Sequence, residues 1–321
     1  MYRIITHLGY LAWFSAFCLP ASGKTIYVNV DARGNNSGAS WGDAYPSFSN
    51  AIDRASPGDE VWVAKGTYGP ISLKSGVKVI GGFAGTETEA SASDPDAHKT
   101  YITGSRKTRA VESIGNNSST VLRGFYITKG FIASPETGGG MYLEKSDALF
   151  LRCVFTGNKS AIMGGAVAVW GGAPHFVNCR FYDNDGGWAA GAVFVRRSAT
   201  PTFVNCLFCK NTAGEGGAVS IVTGAPTFIN CTISGNKAGV SKGGALFDSQ
   251  ESAILRNCIL WGNTSPVTGA NEIYNAPSGA RTTTVTHSAV KGGWPGEGNL
   301  NSDPLFVDPA TGDYRIRQTS P

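Results

Sequence analysis

The chain has 321 residues, of which only 16% are charged, and a formal net charge of +4 at pH 7. This mild excess of positive charge does not support nucleic-acid binding, which usually needs clustered Lys and Arg. The length allows one long domain or two, and the continuous repeats described below favour a single domain over residues 24–321.

Residues 1–23 have the pattern of a secretory signal peptide. Arg3 precedes an apolar stretch from Leu8 to Leu19, and small residues follow at positions 21–23. Cleavage there would remove one basic residue and leave a net charge of +3. No later apolar run is long enough to cross a bilayer. We therefore expect an exported protein without a transmembrane segment after cleavage.

The next segment, residues 24–70, is predicted to form an N-terminal cap and the first coil of a solenoid. Residues 25–30 have the composition of a short strand, and residues 48–55 that of a brief amphipathic helix with Phe48, Ala51 and Ile52 on one face. Such a cap is expected because a solenoid without one would expose unpaired strand edges.

Residues 71–290 contain a repeat of about 26 residues that is marked by five cysteines. These are Cys153, Cys179, Cys206, Cys231 and Cys258, and each is followed five residues later by an asparagine: Asn158, Asn184, Asn211, Asn236 and Asn263. Apolar residues lie three before and two after each cysteine. A fixed period of this length indicates a short unit stacked on copies of itself.

Each repeat holds short runs of Val, Ile and Phe between Gly, Asn and Pro, which indicates strands rather than helices. Strands that return to the same phase every turn predict an all-β parallel β-helix, with equivalent residues about 4.8 Å apart. The asparagines are then turn residues whose side chains can share amide hydrogen bonds.

The repeated motifs resemble a known family. Phe-x-x-Asn at residues 155–158 and 208–211, with Gly-Gly-Ala-Val at residues 164–167 and 216–219, is similar to the polymorphic outer-membrane protein repeats. Residues 56–68 and 303–314 resemble the first coil and the closing segment of bacterial secreted proteins with a pectate-lyase-like fold. The resemblance implies a right-handed parallel β-helix, secreted or on a bacterial cell surface, and specifies no activity.

The five repeated cysteines are expected to be buried free thiols in one column rather than disulfides. Cys209 is out of phase with them and is predicted to face outward as an exposed thiol, which could pair between molecules or have no role. Residues 291–321 are predicted to cover the last coil with an irregular segment and two short strands.

A carbohydrate-active enzyme on this scaffold would need acidic residues. A hydrolase uses two carboxylates, and a lyase uses a calcium-binding acidic cluster with an Arg or Lys base. Asp183, Asp185 and Asp248 are weak candidates, because the first two flank a turn and the third ends a strand. No spacing indicates a metal site, so we expect no cofactor, with calcium only under the lyase alternative.

A row of aromatic and basic side chains is the strongest surface pattern. In the strand after each glycine pair, alternation is predicted to point Leu143, Phe194 and Phe247 outward. Lys145, Trp170 and Arg196 follow two residues later in their strands. Sugars stack on aromatic rings, and Arg and Lys bond hydroxyls or carboxylates. The predicted ligand-binding residues are Trp170, Phe194, Arg196, Phe247 and Lys145, unless the two Phe rings are covered.

Three functions stay open at this point. The leading hypothesis is non-catalytic adhesion, or binding of a polysaccharide or cell-envelope glycan. The alternatives are a polysaccharide lyase or glycoside hydrolase, and a structural spacer. The sequence does not indicate the oligomeric state.

Overall fold

The computed structural model describes residues 23–105, 107–250, 252–267, 269, 271–277 and 282–320. The predicted signal peptide, apart from Gly23, lies outside these residues. The described chain is an all-β coil whose successive turns pair in parallel, as predicted.

Three parallel sheets run along the coil, and a typical turn contributes one strand to each. Sheet 1 comprises Thr25–Val28, Glu60–Ala64, Lys78–Phe83, Val121–Arg123, Leu149–Leu151, His175–Val177, Thr202–Val204, Thr227–Ile229, Ile254–Arg256 and Thr284–Thr286. Sheet 2 comprises Ile71–Ser72, Val111–Ile114, Met141–Glu144, Val167–Trp170, Val193–Arg196, Val219–Ile221, Leu246–Asp248 and Ile273–Asn275. Sheet 3 comprises Gly66–Tyr68, Thr100–Thr103, Phe125–Thr128, Val154–Thr156, Arg180–Tyr182, Leu207–Cys209, Thr232–Ser234, Ile259–Trp261 and Ala289–Val290.

A few smaller elements complete the described fold. They are the helix Phe48–Arg54, the 3-10 turn Ala90–Ala92, the parallel pairs Phe131–Ile132 with Lys159–Ser160 and Thr212–Ala213 with Lys237–Ala238, and the antiparallel hairpin Phe306–Asp308 with Asp313–Ile316.

The core of the coil is built from columns of stacked rings. The rings of Phe155 and Phe181 stack with centroids 4.8 Å apart, and those of Phe181 and Phe208 with centroids 4.7 Å apart. A second column begins with Phe150 and Phe176, whose centroids are 4.7 Å apart. These distances match the spacing of paired strands, so identical side chains stack only because the strands pair in register.

The predicted asparagine ladder is confirmed. Asn184 donates from Nδ2 to Asn211 Oδ1 (2.9 Å) and to the Phe155 carbonyl (2.9 Å), and the same pattern is repeated along the column. Glycine beside the ladder is required by close approach: a Cβ on Gly140 would lie 2.8 Å from Asn158 Cγ. The ladder thus satisfies buried polar groups at the five turns that carry these asparagines.

The five repeated cysteines are buried free thiols, as predicted. Each donates to a backbone carbonyl of the preceding coil, for example Cys179 Sγ to the Phe150 oxygen at 3.5 Å. Burial raises the pKa of Cys153 and of Cys179 well above the ordinary value, so these thiols stay protonated.

The N-terminal helix closes the first coil, and the face predicted from the sequence is the buried one. Phe48, Ala51 and Ile52 are buried, and the Phe48 ring stacks on Phe125 at 5.6 Å. Ser47 caps the helix by accepting a hydrogen bond from the Asn50 amide.

The C-terminal segment divides into two parts with different positions. Residues 291–301 lie against the last coil, where Trp294 packs on the core and donates from Nε1 to the Thr283 carbonyl. The hairpin was also predicted to cover the last coil, and that prediction is wrong. It folds back over the outer face of sheet 3, three strands from the end, where Lys210 Nζ donates to the Ala310 carbonyl at 2.9 Å.

The outward direction predicted for Cys209 agrees with the structure, but the expected exposure of its thiol does not. The thiol is on the outer face of the coil but only 5% of the residue is exposed, because Tyr314 of the hairpin lies against it. Burial raises the pKa of Cys209 to about 11 and that of Tyr314 to about 12. The position of Cys209 in the repeat could not show that a hairpin about 100 residues further along the chain would bury its thiol.

Candidate functional site

The outer face of sheet 2 carries two neighbouring rows of side chains, which we call the sheet 2 strip. In-register pairing defines its first row as Ser72, Glu112, Tyr142, Ala168, Phe194, Ser220, Phe247 and Tyr274. The second row contains Ile114, Glu144, Trp170 and Arg196. Three flanking basic residues, Arg109, Arg197 and Lys242, complete the strip.

Trp170 lies at the centre of the strip with two guanidinium groups near its ring. The Cζ atoms of Arg196 and Arg197 are 5.1 and 4.8 Å from the ring centroid. The indole Nε1 donates to Thr137 Oγ1 at 3.0 Å, and Arg197 pairs with Glu144 at 3.1 Å. These contacts hold an aromatic ring and two guanidinium groups in fixed positions on a partly solvent-exposed surface.

A similar arrangement lies one strand towards the N-terminus. Arg109 Cζ is 4.9 Å from the centre of the Tyr142 ring, and its two terminal nitrogens pair with Glu112 (2.6 Å) and Glu136 (2.5 Å). The Tyr142 hydroxyl donates to Glu144 at 3.2 Å. Burial, helped by the charge of Glu144, raises the pKa of Tyr142 further above neutral pH, where a tyrosine hydroxyl is already protonated and can donate.

The C-terminal part of the strip repeats the pairing of ring and cation. Phe247 and Tyr274 stack with centroids 5.5 Å apart. Lys242 Nζ is 4.1 Å from the Tyr274 ring centroid and donates to its hydroxyl at 2.9 Å. The strip therefore presents aromatic and cationic groups near both ends as well as at its centre.

A cavity of about 380 Å³ adjoins the N-terminal end of the strip. It reaches the first two residues of the first row, Ser72 and Glu112, and is also lined by Arg109 and Glu136. On its far side are Ser49 and Asp53 of the N-terminal helix. The N-terminal helix thus borders the cavity at this end of the strip.

The structure corrects three of the predicted strip residues. Leu143 points into the core and is fully buried, and Glu144, not Lys145, is aligned with Trp170 and Arg196. Phe194 is on the outer face but only 1% exposed, because it packs in a cluster with Ala168 and Ala190 beneath neighbouring side chains. Its ring supports the surface without being available to a ligand.

The predicted places of Trp170, Arg196 and Phe247 on the outer face agree with the structure. Trp170 and Phe247 are half-buried, and Arg196 is exposed. Lys145 is exposed but lies one residue beyond the aligned row.

The acidic candidates are not brought together. Asp183 and Asp185 follow a strand of sheet 3, where Asp185 pairs with Lys159 at 3.4 Å. Asp248 is only 2% exposed at the end of a sheet 2 strand, in the inward column, and accepts hydrogen bonds from the Ala253 amide and from Thr283 Oγ1. These three residues therefore do not form the acidic cluster that calcium-dependent lyase chemistry would need.

Within the part of the chain that the structure describes, no group of three or more His, Cys, Asp or Glu side chains is placed to hold a metal ion. Over the same residues, no helix has the length and apolarity needed to span a membrane.

Comparison with known proteins identifies the family. The model described as "Right handed beta helix region" matches residues 109–278, more than half of the chain. The chain belongs to the right-handed β-helix family. A search of curated proteins found no match.

Solved structures similar to this right-handed β-helix include pectate lyase Pel9A, at 17% identity and a TM-score of 0.46, covering 92% of this chain and 90% of that one. The deglycosylated pectin methylesterase from Aspergillus niger is 17% identical with a TM-score of 0.46, and 88% of each chain is covered. Its penultimately deglycosylated form gives a TM-score of 0.47 at the same identity and coverage. At this identity the likeness concerns the fold alone.

Sequence reasoning missed several strip residues of this right-handed β-helix. Tyr142 was missed because three glycines in a row, at 138–140, can be aligned with the glycine pairs of the other repeats in two ways. The two alignments differ by one residue and assign opposite side chains to the outer face. Arg197 and Tyr274 could have been found from their repeat positions next to Arg196 and in line with Phe247. Arg109 precedes its strand and gave no periodic signal.

Proposed function

We propose that this protein is an exported β-helix protein that binds an acidic polysaccharide without cleaving it, along the sheet 2 strip. The observation that carries the proposal is the aligned set of rings and cations centred on Trp170, Arg196 and Arg197. Rings stack on the apolar faces of sugars, while guanidinium groups bond their hydroxyls and carboxylates.

The length of the strip supports a polymeric ligand. Its first row crosses eight paired strands from Ser72 to Tyr274, a path of about 34 Å at the usual spacing of paired strands. A single sugar would use only a small part of such a surface. A regularly spaced row of contacts suits a chain whose own units repeat.

The charge of the strip supports an acidic ligand. Its carboxylates are already paired, Glu112 with Arg109 and Glu144 with Arg197. Among the described residues, Arg196 and Lys242 make no ion pair. These cations are available to the carboxylates or sulfates of a ligand.

Trp170→Ala tests the proposal, with Trp261→Ala as a matched control. Trp261 is also half-buried on an outer sheet face with a cation, Lys291, near its ring, but it lies on sheet 3. We expect Trp170→Ala to weaken binding to the best ligand on a glycan array at least about tenfold, or about 1.4 kcal/mol. The control should bind like the parent, and equal binding by both variants would contradict the proposal.

Export and a place at the cell surface are part of the same proposal. They are supported by the pattern of residues 1–23 and by the resemblance of the Phe-x-x-Asn and Gly-Gly-Ala motifs to polymorphic outer-membrane repeats. The mature protein should begin near Lys24, which N-terminal sequencing of material collected outside the cytoplasm would test.

Cleavage of a polysaccharide is a second candidate function, favoured by one observation. Glu112 and Glu136, from different parts of the coil, both line the cavity at the end of the strip. Two carboxylates near a bound sugar are the minimum for glycoside hydrolysis. Release of reducing or unsaturated sugars from a panel of acidic polysaccharides, abolished in Glu136→Gln, would favour this function over binding alone.

A further inference from the structure

The cavity is continuous with the strip rather than a separate feature. Ser72 and Glu112 are paired neighbours in the first row of the strip, and both line the cavity. Arg109 also belongs to both: its guanidinium lies 4.9 Å from the Tyr142 ring and lines the cavity. A ligand that follows the first row towards the N-terminus therefore reaches the cavity directly from Tyr142.

The cavity ends the path. Ser49 and Asp53 line it from the N-terminal helix, whose other face is anchored in the core by Phe48, Ala51 and Ile52. This anchored helix packs beside Ile71–Ser72, the edge strand of sheet 2, and so stands in the path of a chain that follows the strip towards the N-terminus. The same helix therefore caps the coil and borders the end of the strip.

The cavity lining suits a hydroxyl-rich group. Carboxylates at Asp53, Glu112 and Glu136 can accept hydrogen bonds from sugar hydroxyls, and Lys107, which makes no ion pair among the described residues, can donate to hydroxyls or a carboxylate. Arg109 Nε is buried and has no hydrogen-bond partner among the described residues. The volume of about 380 Å³ lies within the range usual for small-ligand sites.

We propose that the cavity binds the terminal sugar of an acidic polysaccharide, so that the protein recognises chain ends while the following sugars lie along the sheet 2 strip. This inference rests on the proposed function and specifies which part of the polymer is bound. Recognition of a chain end requires an obstacle to the polymer and a polar cavity beside that obstacle. The N-terminal helix is the obstacle, and the side chains around Arg109 form the polar cavity.

Binding stoichiometry separates recognition of ends from recognition of chain interiors. Polygalacturonate, alginate and hyaluronan, each as short oligomers and as long polymers, would be titrated into the full chain by calorimetry. We expect about one protein molecule per ligand chain whatever the chain length. Several protein molecules per long chain would overturn the chain-end inference and leave the proposed function standing. No binding to any acidic polysaccharide would overturn both.

Ligand ends can also be blocked chemically. A bulky label at one end of the oligomer should abolish binding when it occupies the end that enters the cavity and should have little effect at the other end. Equal affinity for both labelled forms and the unlabelled oligomer would contradict the inference.

Ser49→Trp tests the cavity from the protein side. Ser49 is exposed on the N-terminal helix and lines the cavity, so a large ring there should fill it without disturbing the coil. We expect at least a tenfold loss of affinity for free-ended oligomers with an unchanged melting temperature. Asn50→Trp is the matched control, since Asn50 is the next exposed residue on the same helix and does not line the cavity. Parent affinity in Ser49→Trp would count against the inference.

Discussion

Glu272 shows how one buried side chain can make the stability of the coil depend on pH. Its carboxylate ends the asparagine ladder by accepting hydrogen bonds from the backbone amide and the side-chain amide of Asn263. Burial raises its pKa from the ordinary value of 4.5 to about 7, against the opposing effect of these donors. The folded protein therefore holds this proton more tightly than the unfolded chain.

The sign of the effect follows from this difference. The contribution of Glu272 to stability is complete below about pH 4.5 and is lost as the pH rises through about 7. We expect the parent to lose up to about 3 kcal/mol over this range relative to Glu272→Gln, whose amide oxygen can accept both bonds as the asparagines do. Urea unfolding of both proteins at several pH values would measure this, and parallel pH profiles would show that Glu272 does not titrate in this range.

Other residues show why side-chain exposure was harder to predict than side-chain direction. Alternation correctly placed Phe194 on the outer face, but its burial depends on Met163, Val222 and Trp170, which come from different parts of the sequence. Leu143 was assigned to the wrong face because three successive glycines precede its strand, and a shift of one residue reverses every side chain.

At the scale of the element, the asparagine ladder is the feature that the sequence predicted most fully. Its spacing, its turn position and its shared amide bonds all follow from the repeat. Its contribution can be measured with Asn211→Ala, which would remove the donor to the Phe181 carbonyl and the oxygen that accepts from both the backbone amide and the side-chain amide of Asn184.

We expect Asn211→Ala to lower the free energy of unfolding by about 2–4 kcal/mol, because several buried polar groups lose their hydrogen bonds. Chemical denaturation followed by fluorescence would give the value. Asn50→Ala, at an exposed position on the N-terminal helix, should change stability by less than about 0.5 kcal/mol. Similar losses in the two variants would contradict this account of the ladder.

The C-terminal hairpin is the element whose place was predicted wrongly, because it was expected to cover the last coil and instead lies on sheet 3. Its two strands could be predicted from composition. Its position on sheet 3 depends on the contact of Tyr314 with Cys209 and on the hydrogen bond from Lys210 to the Ala310 carbonyl. These contacts join segments that do not share the repeat. Repeats predict contacts between equivalent positions, and the hairpin has none.

Tyr314→Ala should uncover Cys209. We expect iodoacetamide to modify Cys209 at least about tenfold faster in this variant, because the thiol becomes accessible and its pKa falls from about 11 towards the ordinary value. Peptide mass mapping would identify the site. Val307→Ala is the control, because Val307 is an exposed hairpin residue. Unchanged labelling of Cys209 in Tyr314→Ala would show that the hairpin is not its cover.

At the scale of the whole molecule, the sequence established the architecture because a single period dictates a single axis. Columns such as Phe155, Phe181 and Phe208 follow once the period is known. The functional surface was predicted less completely, since it also depends on residues outside the period, above all Arg109 and the cap helix that closes the strip.

The charge along the strip gives a prediction for the intact protein. Binding of an acidic polysaccharide should weaken as salt rises from about 50 mM to about 500 mM, because counterions screen Arg196 and Lys242. Any binding of a neutral polysaccharide should change little over the same range. Arg196→Gln should make the salt dependence shallower, whereas Lys237→Gln, an exposed lysine between sheets 3 and 2, should leave it unchanged. Calorimetry at several salt concentrations would measure these affinities. An affinity for the acidic polysaccharide that does not change with salt would contradict the prediction and indicate that the ligand is held only by stacking.

The column of five thiols inside the coil has a consequence for where this protein can persist. The described fold contains no disulfide, and its stacked cysteines are buried, so we expect the stability of this coil not to depend on oxidation of its thiols. A reductant such as dithiothreitol should leave the melting temperature unchanged. The coil should therefore stay folded under both oxidising and reducing conditions.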